Sequence, residues 1–351
     1  MRLIVLKDHT KLAEVHSRAR RFCSFRWNAL LEQCAASESG SIPAMQAKHF
    51  SVLICTARPL SGLKRTLEAI RSQKIPENCF GELWIVDNTP LGHTAGDGEQ
   101  WLGAQDESDD QLPVYWAHEP KRGLANARNK ALDVASGSVL LFTDDDIVPC
   151  EAWISSMLDG FDRGFDAVSG PILLAKELER PWLTPYLRSW FAEKLPGDPQ
   201  RDCGLVGANM GILKRVADSI GKFDPELGAG ALGYEEETVY LFKIRSKGLR
   251  IGHAPGAIVT HYFDASRLGC AAMLEDARKR GISRAVARHR YEQHIPAWMN
   301  LRLVLVRIIV PLPLAVYSRK KSEGCPGWVL SWVMSYVYLT KMSQLIKGSA
   351  G

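Results

Sequence analysis

No two cysteines of this 351-residue chain form a CxxC pair, and no Cys/His cluster has metal-site spacing. The eight cysteines (Cys23, Cys34, Cys55, Cys79, Cys150, Cys203, Cys270 and Cys325) are scattered. Several sit in apolar runs, where a thiol packs as a small hydrophobe. This excludes a zinc ribbon and a disulfide framework, and it implies a reducing compartment. No uninterrupted apolar run reaches the roughly 20 residues of a clean membrane span. The opening MRLIVLKDHTKLAE has too short an apolar run for a signal-peptide core, so a cytosolic main domain is expected. A glycine-rich triphosphate loop is missing too: CTARPLSGLKR, after the first strand-like run, carries a single glycine.

What is there begins with charge. Residues 265–351 hold 14 Lys and Arg against 4 Asp and Glu, whereas residues 1–264 hold 30 against 35. An acidic body with a basic C-terminal region implies an anionic surface as its partner. The interleaved apolar runs 301–317 and 327–339 fit lipid better than nucleic acid, so no nucleic-acid partner is expected. Their Trp, Tyr, Arg and Lys content suits an interfacial or re-entrant hairpin, and a buried helical pair is the equal alternative. Residues 1–48 read as an N-terminal helical extension followed by the linker ASESGSIPA.

From residue 50 the pattern alternates. FSVLICT (50–56), ELWIVDN (82–88), PVYWAH (113–118) and SVLLFT (138–143) read as strands. Residues 60–73 and 123–137 have helical spacing, and the acidic, glycine-bearing segment 91–113 reads as a surface loop. Further strands are expected within 165–174, 205–214 and 249–263. Polar residues at the strand C-termini argue for a doubly wound, mostly parallel sheet that binds ligand at those ends.

LLFTDDDIVP (140–149) drives a strand straight into three acids. In extended geometry Asp144 and Asp146 share a side. Two hard oxygen ligands there suit Mg²⁺ or Mn²⁺; a turn using Asp before Pro149 is the plainer alternative. Asp87 closes the second strand, where a carboxylate accepts hydrogen bonds from a base or ribose, and Thr56 and Arg58 close the first. Lys121, Arg122 and Arg128 gather around the next helix, where an anion would meet guanidinium groups and a helix N-terminus. Together they describe a pocket for a nucleotide diphosphate with a bridging cation.

VLICTARP, WIVDN, EPKRGLANARNKAL, LLFTDDDIVP, GANMGILKR, GYEEETVYLFKIRSKG and APGAIVTHY occur in that order over residues 49–290. In this order they resemble the family 2 glycosyltransferases of GT-A fold, and in detail the bacterial exopolysaccharide glucosyltransferases of the succinoglycan type. The resemblance implies a GT-A domain over 49–264, with helical extensions at 1–48 and 265–351. It implies an inverting transfer from a nucleotide-sugar donor, a UDP-sugar first among the choices, to a glycan or lipid-linked acceptor at the cytoplasmic face of the inner membrane.

By position, the resemblance places Thr56, Arg58, Asp87, Arg128 and Asp144 at the nucleotide site. Asp146 becomes the metal-binding acid, with His261 and Asp144 completing that site, and Asn209 falls where sugar and acceptor meet. Glu236 and Glu237 stand where the family has Glu-Asp. Glu237 thus replaces the catalytic Asp, and Glu235, Glu236 and Glu237 all stay open as the base. Two alternatives follow: a non-catalytic GT-A scaffold, and a sugar-phosphate nucleotidylyltransferase, which the missing glycine-rich loop disfavours.

Overall fold

The computed structural model describes residues 48–58, 60–92, 112–196, 204–292 and 323–349. The N-terminal extension, most of the acidic 91–113 segment and the apolar run 301–317 lie outside the described residues.

Strand β1 (Lys48–Thr56) is buried from Phe50 onward, as a strand covered on both faces must be. Helix α1 (Leu60–Arg71) returns along the sheet and seats Leu63, Leu67 and Ile70 in the core. There follow β2 (Cys79–Asp87), β3 (Val114–His118), α2 (Leu124–Val134) and β4 (Val139–Asp144). β1 pairs parallel with both β2 and β4, and β2 with β3. All four strands thus deliver their C-termini, including Thr56, Asp87 and Asp144, to one edge.

The second half adds β5 (Ile147–Pro149), α3 (Trp153–Asp162), β6 (Ala167–Ser169), β7 (Ile172–Leu174), β8 (Asn209–Leu213) and α4 (Lys214–Ile220). It ends with α5 (Glu236–Ser246), β9 (Ile251–His253), β10 (Val259–His261), α6 (Cys270–Ala287) and α7 (Gly327–Ser349). The large sheet runs β3-β2-β1-β4-β8-β6-β9, with β8 antiparallel to both neighbours; β5-β10-β7 form a small sheet. The expected mostly parallel α/β sheet is present.

Two differences have local causes. The single strand expected over 165–174 is split between the sheets at Gly170-Pro171. A Cβ on Gly170 would lie 2.2 Å from the Ala257 carbonyl, and Pro171 has no N–H for a ladder. The chain therefore leaves one sheet and enters the other there. The expected boundary at 264 also does not separate two cores. Leu174, Leu187 and Phe191 share an apolar cluster with Met273 and Leu274 of α6 and with Val329, Leu330 and Val333 of α7. The apolar run 327–339 is part of one helix continuing to Ser349. No described helix is long and apolar enough to cross a membrane.

Candidate active site

At the C-terminal edge of β1, β2 and β4 the structure opens a cleft of about 730 Å³. It is lined by Thr56, Arg58, Asp144–Asp146, Glu235–Glu237 and His261, among others. Residues far apart in sequence meet there because β4 does not stop at its acids. After Asp144 the chain turns through Asp145 and Asp146 and enters β5, which pairs antiparallel with β10 so that His261 faces Ile147. That register lays the His261 ring against Asp146, with Nε2 at 3.4 Å from Oδ1.

The three acids take different environments. Asp145 is buried; it accepts a 2.6 Å hydrogen bond from Thr56 Oγ1. Burial pushes its pKa up to about 6 against the pull of Arg58 and Thr56. Asp146 accepts a 2.8 Å hydrogen bond from Arg58 Nη2. Burial opposes its ionisation, but His261 and then Arg58 outweigh burial and hold it at about 2. Asp144 is 30% exposed to the cleft and lies 3.4 Å from Arg128 Nη2; desolvation raises its pKa despite Arg128.

His261 Nδ1 lies 2.9 Å from the Phe191 carbonyl, which can only accept, so Nδ1 carries the proton and donates. Nε2 is then the ring nitrogen that faces the Asp146 carboxylate. The backbone-held imidazole and the carboxylate have the donor chemistry of a divalent-metal site. Among the described residues no group of three or more His, Cys, Asp or Glu forms a ready-made metal cluster.

Joined to the cleft residues Asp144, Glu236 and Glu237 is the buried Arg128. This α2 residue is 1% exposed, and its Nη1 lies 3.1 Å from both Glu236 and Glu237. Its guanidinium thus bridges Asp144 at the end of β4 to the first turn of α5, where the helix dipole favours carboxylates. Desolvation lowers the guanidinium pKa, but Glu237, Asp144 and Glu236 more than reverse that and raise it. Burial, then the neighbouring Glu237 charge, pushes Glu236 up to about 7; burial also raises Glu237. Glu236 is shut in at 8% side-chain exposure, whereas Glu237 is 26% exposed. A Cβ at 207 would sit 2.2 Å from Glu237 Oε1 and 2.0 Å from Arg128 Nη2, so a larger residue there would have to displace this pair. Glu235 precedes the helix at φ 76, a strained conformation for a residue with a side chain, and is tied to Arg284 Nε at 3.1 Å.

Two expected residues stand elsewhere. Asn209 is fully buried in β8, and its amide is consumed internally. Nδ2 donates to Pro171 O and Ala257 O, both at 2.8 Å, and Oδ1 accepts from Trp153 Nε1 at 2.8 Å. It clasps the two sheets together and does not line the cleft. Asp87 is also fully buried, its Oδ1 accepting from the Thr89 N–H at 2.8 Å. The next residue does line the cleft: Asn88 donates to Glu119 O and Lys121 O and accepts from Gly123 N, setting the loop that enters α2. Arg267, Arg280 and Arg284, read in the sequence as part of a basic tail, line the cleft as well.

Residues 51–221 match the profile of glycosyl transferase family 2. The succinoglycan biosynthesis protein ExoM of Rhizobium meliloti is 25% identical over 217 residues, covering 60% of this chain and 66% of that protein. The glucosyl-dolichyl phosphate glucuronosyltransferase of Haloferax volcanii is 24% identical over 187 residues, covering 51% and 56%. The chain therefore spans less than two thirds of the length of either relative. Among solved structures, a mannosyltransferase from Pyrobaculum calidifontis in complex with GDP-Man and Mn²⁺ superposes with a TM-score of 0.56 at 16% identity, covering 97% of this chain and 90% of that one. Strand edge, acid run and helix-borne carboxylates meet in one cleft, and this chain carries a glycosyl transferase family 2 domain on a GT-A fold.

Proposed function

We propose that the cleft carries out an inverting glycosyl transfer from a nucleotide-diphosphate sugar to a glycan or lipid-linked acceptor in cell-surface polysaccharide synthesis. The observation that carries this reading is Arg128, which fixes the Glu236/Glu237 pair and Asp144 around one space. An acceptor hydroxyl oxygen forms the new bond to the anomeric carbon while the bond from that carbon to the diphosphate oxygen breaks. The hydroxyl proton goes to a carboxylate, and the electron pair leaves with the nucleoside diphosphate.

Glu237 is the base in this reading, because it is the more exposed carboxylate of the Arg128-bound pair. Glu236 holds the guanidinium from the closed side. Asp144 faces the nucleotide, and Thr56 fixes Asp145 behind it. Asp146 and His261 would hold Mg²⁺ or Mn²⁺, which supplies Lewis-acid stabilisation of the departing diphosphate when bound. Arg58 neutralises Asp146 in the chain by itself. The intact carboxylate pair supports the enzyme over the non-catalytic scaffold.

Contact with an anionic membrane forms part of the proposal. Trp328 and Trp332, one turn apart on α7, are 54% and 36% exposed. Tyr186, 41% exposed, joins them through a 2.7 Å hydrogen bond between its hydroxyl and Ser331 Oγ. A screen of UDP-, GDP- and dTDP-sugars for cation-dependent hydrolysis tests the proposed activity. Hydrolysis of one donor that vanishes in Asp146→Ala, with the melting temperature retained, is the expected result. Undiminished hydrolysis in that variant overturns the metal assignment.

A further inference from the structure

Several arginines in or beside the cleft are already neutralised. Arg58 is paired with Asp145 and Asp146, Arg128 with Asp144 and both glutamates, and Arg284 with Glu235. Arg280 of α6 is different. Among the described residues it has no carboxylate within ion-pair distance. Its guanidinium lies between aromatic rings, 3.9 Å from the Tyr234 centroid and 4.8 Å from that of Trp190, and Nη2 donates to the Trp190 carbonyl at 2.7 Å. Its Nε is buried without a hydrogen-bond partner among the described residues. Rings fix the plane of a guanidinium without cancelling its charge, so the side chain is oriented, positive and one acceptor short.

Arg267 repeats the arrangement nearby. It lies over Phe191 and Phe263 at 5.7 and 5.3 Å from their centroids, and its carboxylate neighbour Asp276 is 3.9 Å away, at the outer limit of a pair. A planar, stacked guanidinium with spare N–H donors matches a phosphate group.

We propose that Arg280, assisted by Arg267, is an anion subsite for a phosphate ester or diphosphate carried by the acceptor. The inference rests on the glycosyltransferase reading of the cleft. The acceptor is favoured over the donor by position: Tyr234 immediately precedes Glu235–Glu237, so Arg280 is attached to the wall holding the carboxylates that receive the acceptor's proton. The donor's diphosphate has its own charge partners in Arg58 and in a cation at Asp146 and His261. The acceptor class is a saccharide that bears phosphate, whether a soluble sugar phosphate or a lipid-linked sugar diphosphate.

The test is calorimetric titration of inorganic pyrophosphate into the full chain, alone and after saturation with UDP or GDP and Mn²⁺, for wild type, Arg280→Gln and Arg280→Lys. Wild type is expected to bind pyrophosphate with the nucleotide in place. Arg280→Gln should weaken that binding by roughly tenfold to hundredfold and leave nucleotide affinity within about twofold. Arg280→Lys, which keeps charge but not the stacked plane, should fall between.

Loss of nucleotide affinity in parallel with pyrophosphate affinity would assign Arg280 to the donor and overturn the proposal. Unchanged pyrophosphate binding in Arg280→Gln, at an unchanged melting temperature, overturns it as well. Pyrophosphate binding through Arg280 in a chain that takes no nucleotide keeps the anion subsite and sinks the donor reading. Repeating the titration with glucose 1-phosphate and with farnesyl diphosphate identifies the source, because each carries the shared phosphate and only the second carries lipid.

Discussion

The Nη1 atom of Arg128 lies 3.1 Å from Oε1 of Glu237, inside a guanidinium that is otherwise closed to solvent. The proposed base thus sits on a buried cation shared with Glu236 and Asp144. Removing the cation leaves carboxylates buried without compensation. Arg128→Met is expected to destabilise the fold by about 3–5 kcal/mol. Arg128→Lys keeps a charge but cannot span the carboxylates with a planar fork. It should fold and lose most activity. Denaturant melts of both variants, with donor turnover for the lysine variant, check this. A fully active Arg128→Lys enzyme removes the bridging role.

Glu237→Gln should keep nucleotide affinity and lower kcat by about 10²–10⁴-fold, the usual worth of a general base. Glu236→Gln should be milder in kcat, because that carboxyl faces the closed side of Arg128. Single-turnover rates at saturating donor separate the two. If Glu236→Gln is the inactive variant, the base is the other member of the pair.

The ease of reading these residues from sequence differed for physical reasons. LLFTDDDIVP was legible because a buried parallel strand is a continuous apolar run, and the acids mark its ligand-facing end. Arg128 is legible as a nucleotide-site residue, yet two of its three carboxylate partners lie on α5, and no local periodicity encodes that pairing. Only the family resemblance, through GANMG, puts Asn209 where sugar and acceptor meet. Its three interior partners, Trp153, Pro171 and Ala257, come from separate elements and consume the amide. Arg280 read as one charge in a basic helix; only the packing of α6 turned it toward Tyr234 and Trp190.

The Glu236 pKa makes stability depend on pH. Its folded value is raised from 4.5 to about 7, so between those values the folded state holds more protons than the unfolded state. Stability contributed by the protonated form is therefore lost as pH rises from about 4.5 through 7. Asp145, raised from 3.8 to about 6, acts in the same direction over a lower window. Glu236→Gln cannot ionise, so its melting temperature relative to wild type should climb from pH 5 to pH 8. Parallel melting curves across that range would show that Glu236 ionises as freely in the fold as outside it.

His261→Ala should leave the cleft's nucleotide-facing residues in place and remove one of the two side chains proposed to hold the cation. The Mn²⁺ concentration giving half-maximal donor hydrolysis is expected to rise by about tenfold or more, given that even outer-shell partners of metal ligands cost that much. Maximal rates at saturating Mn²⁺ should recover in part. A metal titration curve that does not move assigns His261 to packing against Phe263, which its ring also touches at 5.2 Å between centroids.

Trp328 and Trp332 are large apolar side chains left in contact with water on a helix whose opposite face is buried against α6. Indole rings at such positions partition into the headgroup region, and the +10 charge of residues 265–351 adds attraction to anionic lipid. Co-sedimentation with phosphatidylglycerol vesicles should be strong at low salt, weak with phosphatidylcholine alone, and reduced by about tenfold in Trp328→Ser/Trp332→Ser. Because both rings are solvent-facing, the double variant should melt within a few degrees of wild type. Equal binding of wild type and double variant moves the contact off this face of α7. Equal binding to neutral and anionic vesicles removes the electrostatic part of the argument and leaves the indoles as its sole basis.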